Sequence, residues 1–167
     1  MKLRIFGLAN DSIVDGPGIR YTIFVQGCFH NCPGCHNPES HDPNGGHDEE
    51  VETILENIRK NPLLDGVTFS GGEPFLHAKK LAFIAEEVKK TGLGVMCYTG
   101  YTLEQLYEGA DEDNGWGELL SKIDILVDGR FVLEQRSVEL NFKGSKNQRV
   151  IDMKKTAEKG EIVLWEE

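Results

Sequence analysis

The chain has 167 residues, 39% of them hydrophobic, and its 18 Lys plus Arg against 28 Asp plus Glu leave a net charge of −10. That length and apolar content suit one domain, spanning 1–167, with a core of its own, and exclude a disordered chain. The acidic balance weighs against partners such as nucleic acid or an anionic membrane surface, and no apolar run approaches the ~18 residues of a membrane span.

Met1-Lys2-Leu3-Arg4-Ile5-Phe6 gives way to polar residues too soon for a secretory leader. A cytoplasmic location is expected. Thiols stay reduced there, and clustered cysteines point to metal rather than disulfides. Residues 20–26 (RYTIFVQ) form a β-branched and aromatic run between Asp15-Gly16-Pro17-Gly18 and Gly27, which predicts a buried strand. A polar loop, 28–48, follows; at 21 residues it exceeds ordinary connections and is expected to be functional. Val51, Ile54, Leu55 and Ile58 predict an amphipathic helix over 49–60, and Leu81, Ile84, Ala85 and Val88 a second over 78–90. Short strands are expected at 66–70, 94–99 and 123–127, with a short helix at 103–108. The tail from about 130 is polar and ends in an apolar stretch, 162–165.

Alternating strands and helices predict a parallel sheet with crossover connections. Four strands are too few to close an eight-stranded barrel, so the expected fold is α/β, a partial, open parallel (β/α) barrel. Ligands of such sheets gather at the carboxyl ends of the strands. The three most unusual segments fall there: the cysteine loop, Gly71-Gly72-Glu73-Pro74 and Tyr98-Thr99-Gly100.

Cys28, Cys32 and Cys35 form a C-x3-C-x2-C pattern. Three thiolates on one loop can each bind a different iron of a cubane cluster, leaving one iron open to a substrate or cofactor. Zinc held with His30 or His36, or unconnected thiols, are the alternatives on spacing alone. Gly71 and Gly72 permit close backbone approach to a ligand. Glu73 adds an acceptor suited to an ammonium group; an ordinary strand-to-helix turn is the plainer reading. Cys97 reads as a small core residue. His41 and His47 lie in a solvated loop. Asp111-Glu112-Asp113-Asn114-Gly115 has its glycine one place early for a calcium loop, and reads as solvated. Arg149 either pairs with a carboxylate or meets a partner.

Taken together, the cysteine pattern and the Gly-Gly-Glu-Pro segment resemble the radical S-adenosylmethionine (SAM) superfamily. Asp15-Gly16-Pro17-Gly18-Ile19-Arg20, Gln26-Gly27-Cys28 and Cys35-His36-Asn37-Pro38 resemble the glycyl-radical activating enzymes within it. Val127-Asp128-Gly129-Arg130-Phe131 and Gly144-Ser145-Lys146-Asn147-Gln148-Arg149 resemble those that serve anaerobic ribonucleoside-triphosphate reductase.

The resemblance implies that Cys28, Cys32 and Cys35 hold a [4Fe–4S] cluster whose open iron is chelated by S-adenosyl-L-methionine. It implies that Gly71, Gly72 and the Glu73 carboxylate orient the SAM amino group, that Thr99 and Gly100 contact SAM, and that Asp128 faces the same mouth, meeting SAM or a cation. The implied reaction is reductive cleavage of SAM and abstraction of a glycine Cα hydrogen. Its implied partners are the large glycyl-radical subunit of the reductase and an electron donor such as flavodoxin, with docking expected near residues 36–38 and 146–149.

Two departures stand out. Gly34 replaces an aromatic residue that packs on adenine in many members, leaving Phe29 or His36 as substitutes. Tyr98 replaces an aspartate that some pyruvate formate-lyase activases use as a cation ligand. The alternatives are an activase of pyruvate formate-lyase, a small-molecule enzyme such as 7-carboxy-7-deazaguanine synthase, and a zinc-binding module.

Overall fold

The computed structural model describes residues 1–35, 38–137 and 142–166. In chain order the elements are β1 (Lys2–Ser12), β2 (Arg20–Val25), β3 (His47–Glu50), α1 (Val51–Lys60), β4 (Gly66–Gly71), α2 (Ala78–Lys89), β5 (Gly94–Tyr98), α3 (Leu103–Gly109), α4 (Trp116–Lys122), β6 (Ile125–Asp128), β7 (Arg149–Asp152) and α5 (Met153–Lys159). The strands make one sheet in the order β3-β1-β2-β4-β5-β6-β7.

The four expected strands are β2, β4, β5 and β6, adjacent and parallel. The sheet is open, as expected, but mixed: β1 and β3 extend one edge antiparallel, and β7 extends the other. β3 takes Glu49 and Glu50 from the expected first helix, pairing them with Leu3 and Lys2.

Alternation along the parallel strands separates two faces. Tyr21, Ile23 and Val25 of β2, Val67 and Phe69 of β4, Val95 and Cys97 of β5 and Leu126 of β6 form aligned rows in the same core as the buried stripes of α1 and α2. Each fully buried aliphatic side chain there contributes about 1.5–3 kcal/mol. Cys97 is a core residue, as read from the sequence.

The opposite face carries Arg20, Thr22, Thr68, Met96 and Tyr98. Arg20 is buried, and among the described residues no carboxylate hydrogen-bonds to it. Its guanidinium donates to Thr68 Oγ1 at 2.7 Å, Pro17 O at 3.0 Å and Val67 O at 3.0 Å. Thr68 Oγ1 in turn donates to Asp15 O at 2.8 Å. The Asp-Gly-Pro-Gly-Ile-Arg segment is thereby strapped across this face, bringing Val14 and Asp15 to the edge of a cavity.

The tail is structured where it is described. Gln148 Oε1 accepts from the Gly144 and Ser145 N–H groups at 2.8 and 3.0 Å, while its amide donates to Gly129 O at 3.0 Å. The Asn147 amide donates to Arg130 O at 2.8 Å. These two side chains fasten the tail to the segment leaving β6.

Candidate active site

A cavity of about 460 Å³ opens at the carboxyl ends of β2, β4, β5 and β6. Cys28, Cys32, Cys35, Gly71, Gly72, Thr99 and Gly100 all line it. Of the expected site residues, Glu73 and Asp128 do not.

Two left-handed residues shape the Cys28–Cys35 stretch: Asn31, with φ of 51°, and Gly34, with φ of 74°. Asn and Gly are the residues that tolerate this conformation best. Cys35 N–H closes a turn onto Cys32 O at 3.1 Å. The root of the loop is fixed as well. Gly27 N–H donates to Ser40 O at 2.6 Å and Cys28 N–H to His41 O at 3.0 Å. The Gln26 amide donates to Glu39 O at 2.9 Å and Asp42 O at 2.7 Å.

All four cysteines are free thiols. Burial pushes the Cys28 and Cys32 thiols above the ordinary cysteine range, so binding a metal there releases protons. Three soft donors on one cavity wall fit an iron–sulfur cluster, each iron taking one thiolate. Among the described residues, no three His, Cys, Asp or Glu side chains gather closely enough for a single metal ion.

The Gly71–Gly72 turn lies against the root of that loop. Gly71 has φ of +93°, and a Cβ on it would fall 2.5 Å from Val25 N. One on Gly72 would fall 2.3 Å from Gly27 O. Gly72 N–H donates to Val25 O at 2.8 Å and Glu73 N–H to Gly27 O at 2.7 Å. The close approach that these glycines allow is therefore to protein backbone. With those N–H groups engaged, peptide carbonyls are what the turn can offer a ligand, which suits an ammonium donor.

The Glu73 carboxylate is turned to the protein rather than to the cavity. Oε1 accepts from His30 Nε2 and Gly100 N, each at 2.7 Å; Oε2 accepts from Thr99 Oγ1 at 2.9 Å and Phe75 N at 3.0 Å. Where an acceptor for a ligand ammonium was expected, the carboxylate is engaged by donors of the protein itself.

Asp128 also departs from expectation. Leu126 pairs with Cys97 in the helix-side row, and two residues on Asp128 shares that face. There its carboxylate accepts from Leu103 N at 2.8 Å, capping α3, and from Arg149 Nε at 3.0 Å. Asp128 is not among the residues lining the cavity, and the cation beside it is Arg149, which also pairs with Glu104. These ion pairs raise the Arg149 pKa.

Phe29 is 70% exposed and outside the cavity lining, while His36 lies outside the described residues, as does Asn37. A Cβ on Gly34 would meet Leu133 at 2.7 Å. Tyr98 lines the cavity, and burial pushes its phenol well up, so it stays neutral. The sequence reading missed His41, Phe131, Phe142 and Lys143 in the lining. The last three come from the stretch read as a polar tail. Their signal was the aromatic pair within it, together with the Asn147-Gln148 clasp.

The 4Fe-4S single cluster domain matches residues 14–151. The anaerobic ribonucleoside-triphosphate reductase-activating protein of Vibrio cholerae is 34% identical over 145 residues, covering 81% of this chain and 89% of that protein. The protein of that name from Escherichia coli K12 is 34% identical over 149 residues, covering 83% and 91%. A pyruvate formate-lyase-activating enzyme of Clostridium pasteurianum is 40% identical over 95 residues, covering 54% of this chain and 40% of that protein. Among solved structures, QueE from Escherichia coli gives a TM-score of 0.48 at 19% identity, covering 61% of this chain and 54% of that one, a likeness too weak to bear on fold or function. With a domain match across most of its length and relatives matched nearly end to end, the chain belongs to the anaerobic ribonucleoside-triphosphate reductase-activating proteins, a radical SAM family of activating enzymes.

Proposed function

We propose that the whole chain works as one domain that generates a glycyl radical on the large subunit of anaerobic ribonucleoside-triphosphate reductase. Cys28, Cys32 and Cys35 hold a [4Fe–4S] cluster, and S-adenosyl-L-methionine binds beside it. One observation carries the reading: the three cysteines share a single cavity with the Gly71–Gly72 and Thr99–Gly100 strand ends. When bound, cluster and SAM would supply the radical chemistry that removes a hydrogen atom from a glycine Cα, with the electron drawn from a donor protein such as flavodoxin.

The chain's own residues bind, orient and exclude water. The Gly71–Gly72 turn offers carbonyl acceptors to the SAM ammonium, and Thr99 and Gly100 form the adjoining wall. Phe131, Phe142 and Gly144 cover the side facing the tail. Holding the reacting groups together makes the chemistry effectively intramolecular, and the apolar wall keeps water from a reactive radical. The remaining open side admits a glycine-bearing loop of the partner.

The test begins with anaerobic reconstitution of wild-type protein and of Cys28→Ala, Cys32→Ala, Cys35→Ala and Cys97→Ala. Iron and sulfide counts should collapse in the first three and stay whole in Cys97→Ala. Reduced wild-type protein is then mixed with SAM and a reductase subunit carrying Cα-deuterated glycine. A radical doublet that narrows on deuteration, with deuterium in 5′-deoxyadenosine, is expected. Full cluster loading in Cys32→Ala, or a nucleoside that never gains deuterium, would refute the reading.

A further inference from the structure

The cysteine loop has to be held at a fixed place relative to the strand ends, and the structure contains a device for this in His30. This residue stands two positions from Cys28 and two from Cys32. Its side chain is 7% exposed although the loop around it is partly open. Three contacts hold the ring. Nε2 donates to Glu73 Oε1 at 2.7 Å. The ring lies so close over Gly100 that a Cβ there would fall 2.4 Å from it. Tyr101 meets it edge-on, with ring centroids 4.6 Å apart. The slot is thus built from the end of β4 and the end of β5, and from the loop only His30 enters it in these contacts.

Glu73 is the floor of that slot. A carboxylate has about four lone-pair sites. Four donors reach this one: His30 Nε2, Gly100 N, Phe75 N and Thr99 Oγ1. Its side chain is 1% exposed. A saturated, buried carboxylate has no site left for an ammonium group from the cavity, whereas it can hold the backbone at residue 100, the hydroxyl at 99 and the ring at 30 in one fixed relation.

We infer that His30 and Glu73 are positioning residues: their contact sets the register of the cysteine loop against the Gly71–Gly72 and Thr99–Gly100 strand ends, and Glu73, outside the cavity lining, acts on the site through His30, which does line it. The functional sense of that register rests on the proposed function; the anchor itself does not.

The first arm uses the cluster-free chain under anaerobic conditions. Amide exchange at Gly100 and Phe75 should speed up at least about tenfold in Glu73→Gln, since one oxygen is replaced by a donor and an acceptor is lost. Unchanged exchange at Gly100 would overturn the anchor. The second arm uses reconstituted protein. His30→Ala and His30→Phe should load iron normally yet raise the KM for SAM about tenfold, as expected for loss of one hydrogen bond to a carboxylate, and blunt the change that SAM causes in the reduced cluster's electron paramagnetic resonance signal. His30→Gln, which keeps a donor, should restore both. His30→Ala combined with Glu73→Gln should be no worse than the worse single variant, because the two act through one contact. Wild-type SAM response in His30→Ala, or effects that multiply in the double variant, would overturn the inference in favour of Glu73 touching SAM directly. Failure of wild-type protein to respond to SAM at all would strike the proposed function instead, while the exchange arm still decides the anchor.

Discussion

Replacing Gly72 by alanine separates a backbone-packing role from a ligand-binding one. The new Cβ would lie 2.3 Å from Gly27 O and 2.9 Å from Ser40 O, where ordinary contact begins at 3.4 Å. Both obstacles are backbone, so rotamer changes cannot relieve them. The end of β4 has to move from the root of the cysteine loop by about 1 Å, on the scale of the overpacking that costs about 1–3 kcal/mol. That movement stretches the Glu73 N–H bond to Gly27 O, now 2.7 Å, past hydrogen-bond range. Its loss adds about 0.5–1.5 kcal/mol. The sum, roughly 2–4 kcal/mol, corresponds to a Tm lower by about 5–15 °C for a chain of this size. Thermal unfolding of the cluster-free chain, followed by circular dichroism under anaerobic conditions, gives the answer without SAM or iron. Gly7→Ala is the control, since a Cβ there meets nothing within 4 Å. A Gly72→Ala protein that melts with wild type but loses SAM binding would refute the packing argument and return this glycine to the ligand.

Arg149→Met leaves the buried Asp128 carboxylate with the Leu103 N–H and without its cation. Because the Arg149 side chain is 31% exposed, the loss should be about 2–3 kcal/mol, below the 3–5 kcal/mol of a fully buried pair, lowering Tm by about 4–12 °C; a shift under about 2 °C would contradict the pairing. Burial holds the His77 imidazole below its ordinary value, so the unfolded chain binds the proton more readily and stability drops as pH falls through about 6.5. Tm measured between about pH 7.5 and 5.5 should therefore fall less in His77→Gln than in wild type, and equal slopes would remove His77 from the account. Gly117 lies in α4 with no atom within 4 Å of an added Cβ. Gly117→Ala should raise stability by about 0.5–1 kcal/mol, and a lower denaturant midpoint would contradict this.

Periodicity and local chemistry made much of this protein legible from its residues. The four parallel strands announce themselves as apolar runs because both faces of each are covered, and α1 and α2 as stripes because each buries one side. The cysteine pattern and the two glycines fall at strand ends by their order in the chain alone. What stayed hidden depends on which segments meet. β1 buries only Leu3 and Ile5 fully, so it carries almost no strand signal; it exists because β2 offers it an edge. α5 had legible ends in Asp152, which caps it, and the left-handed Gly160, yet its seven residues were too few to show a stripe. Asp128 looked like a cavity residue because it ends a strand; the register of β6 on β5 turns it to the helix side, where the first turn of α3 and Arg149 complete it. Glu73 looked like a ligand contact for its charge. The Phe75 N–H reaches it locally, two residues on, but only the tertiary structure brings His30 and the Thr99–Gly100 strand end to the same carboxylate, because its saturation depends on where distant segments cross.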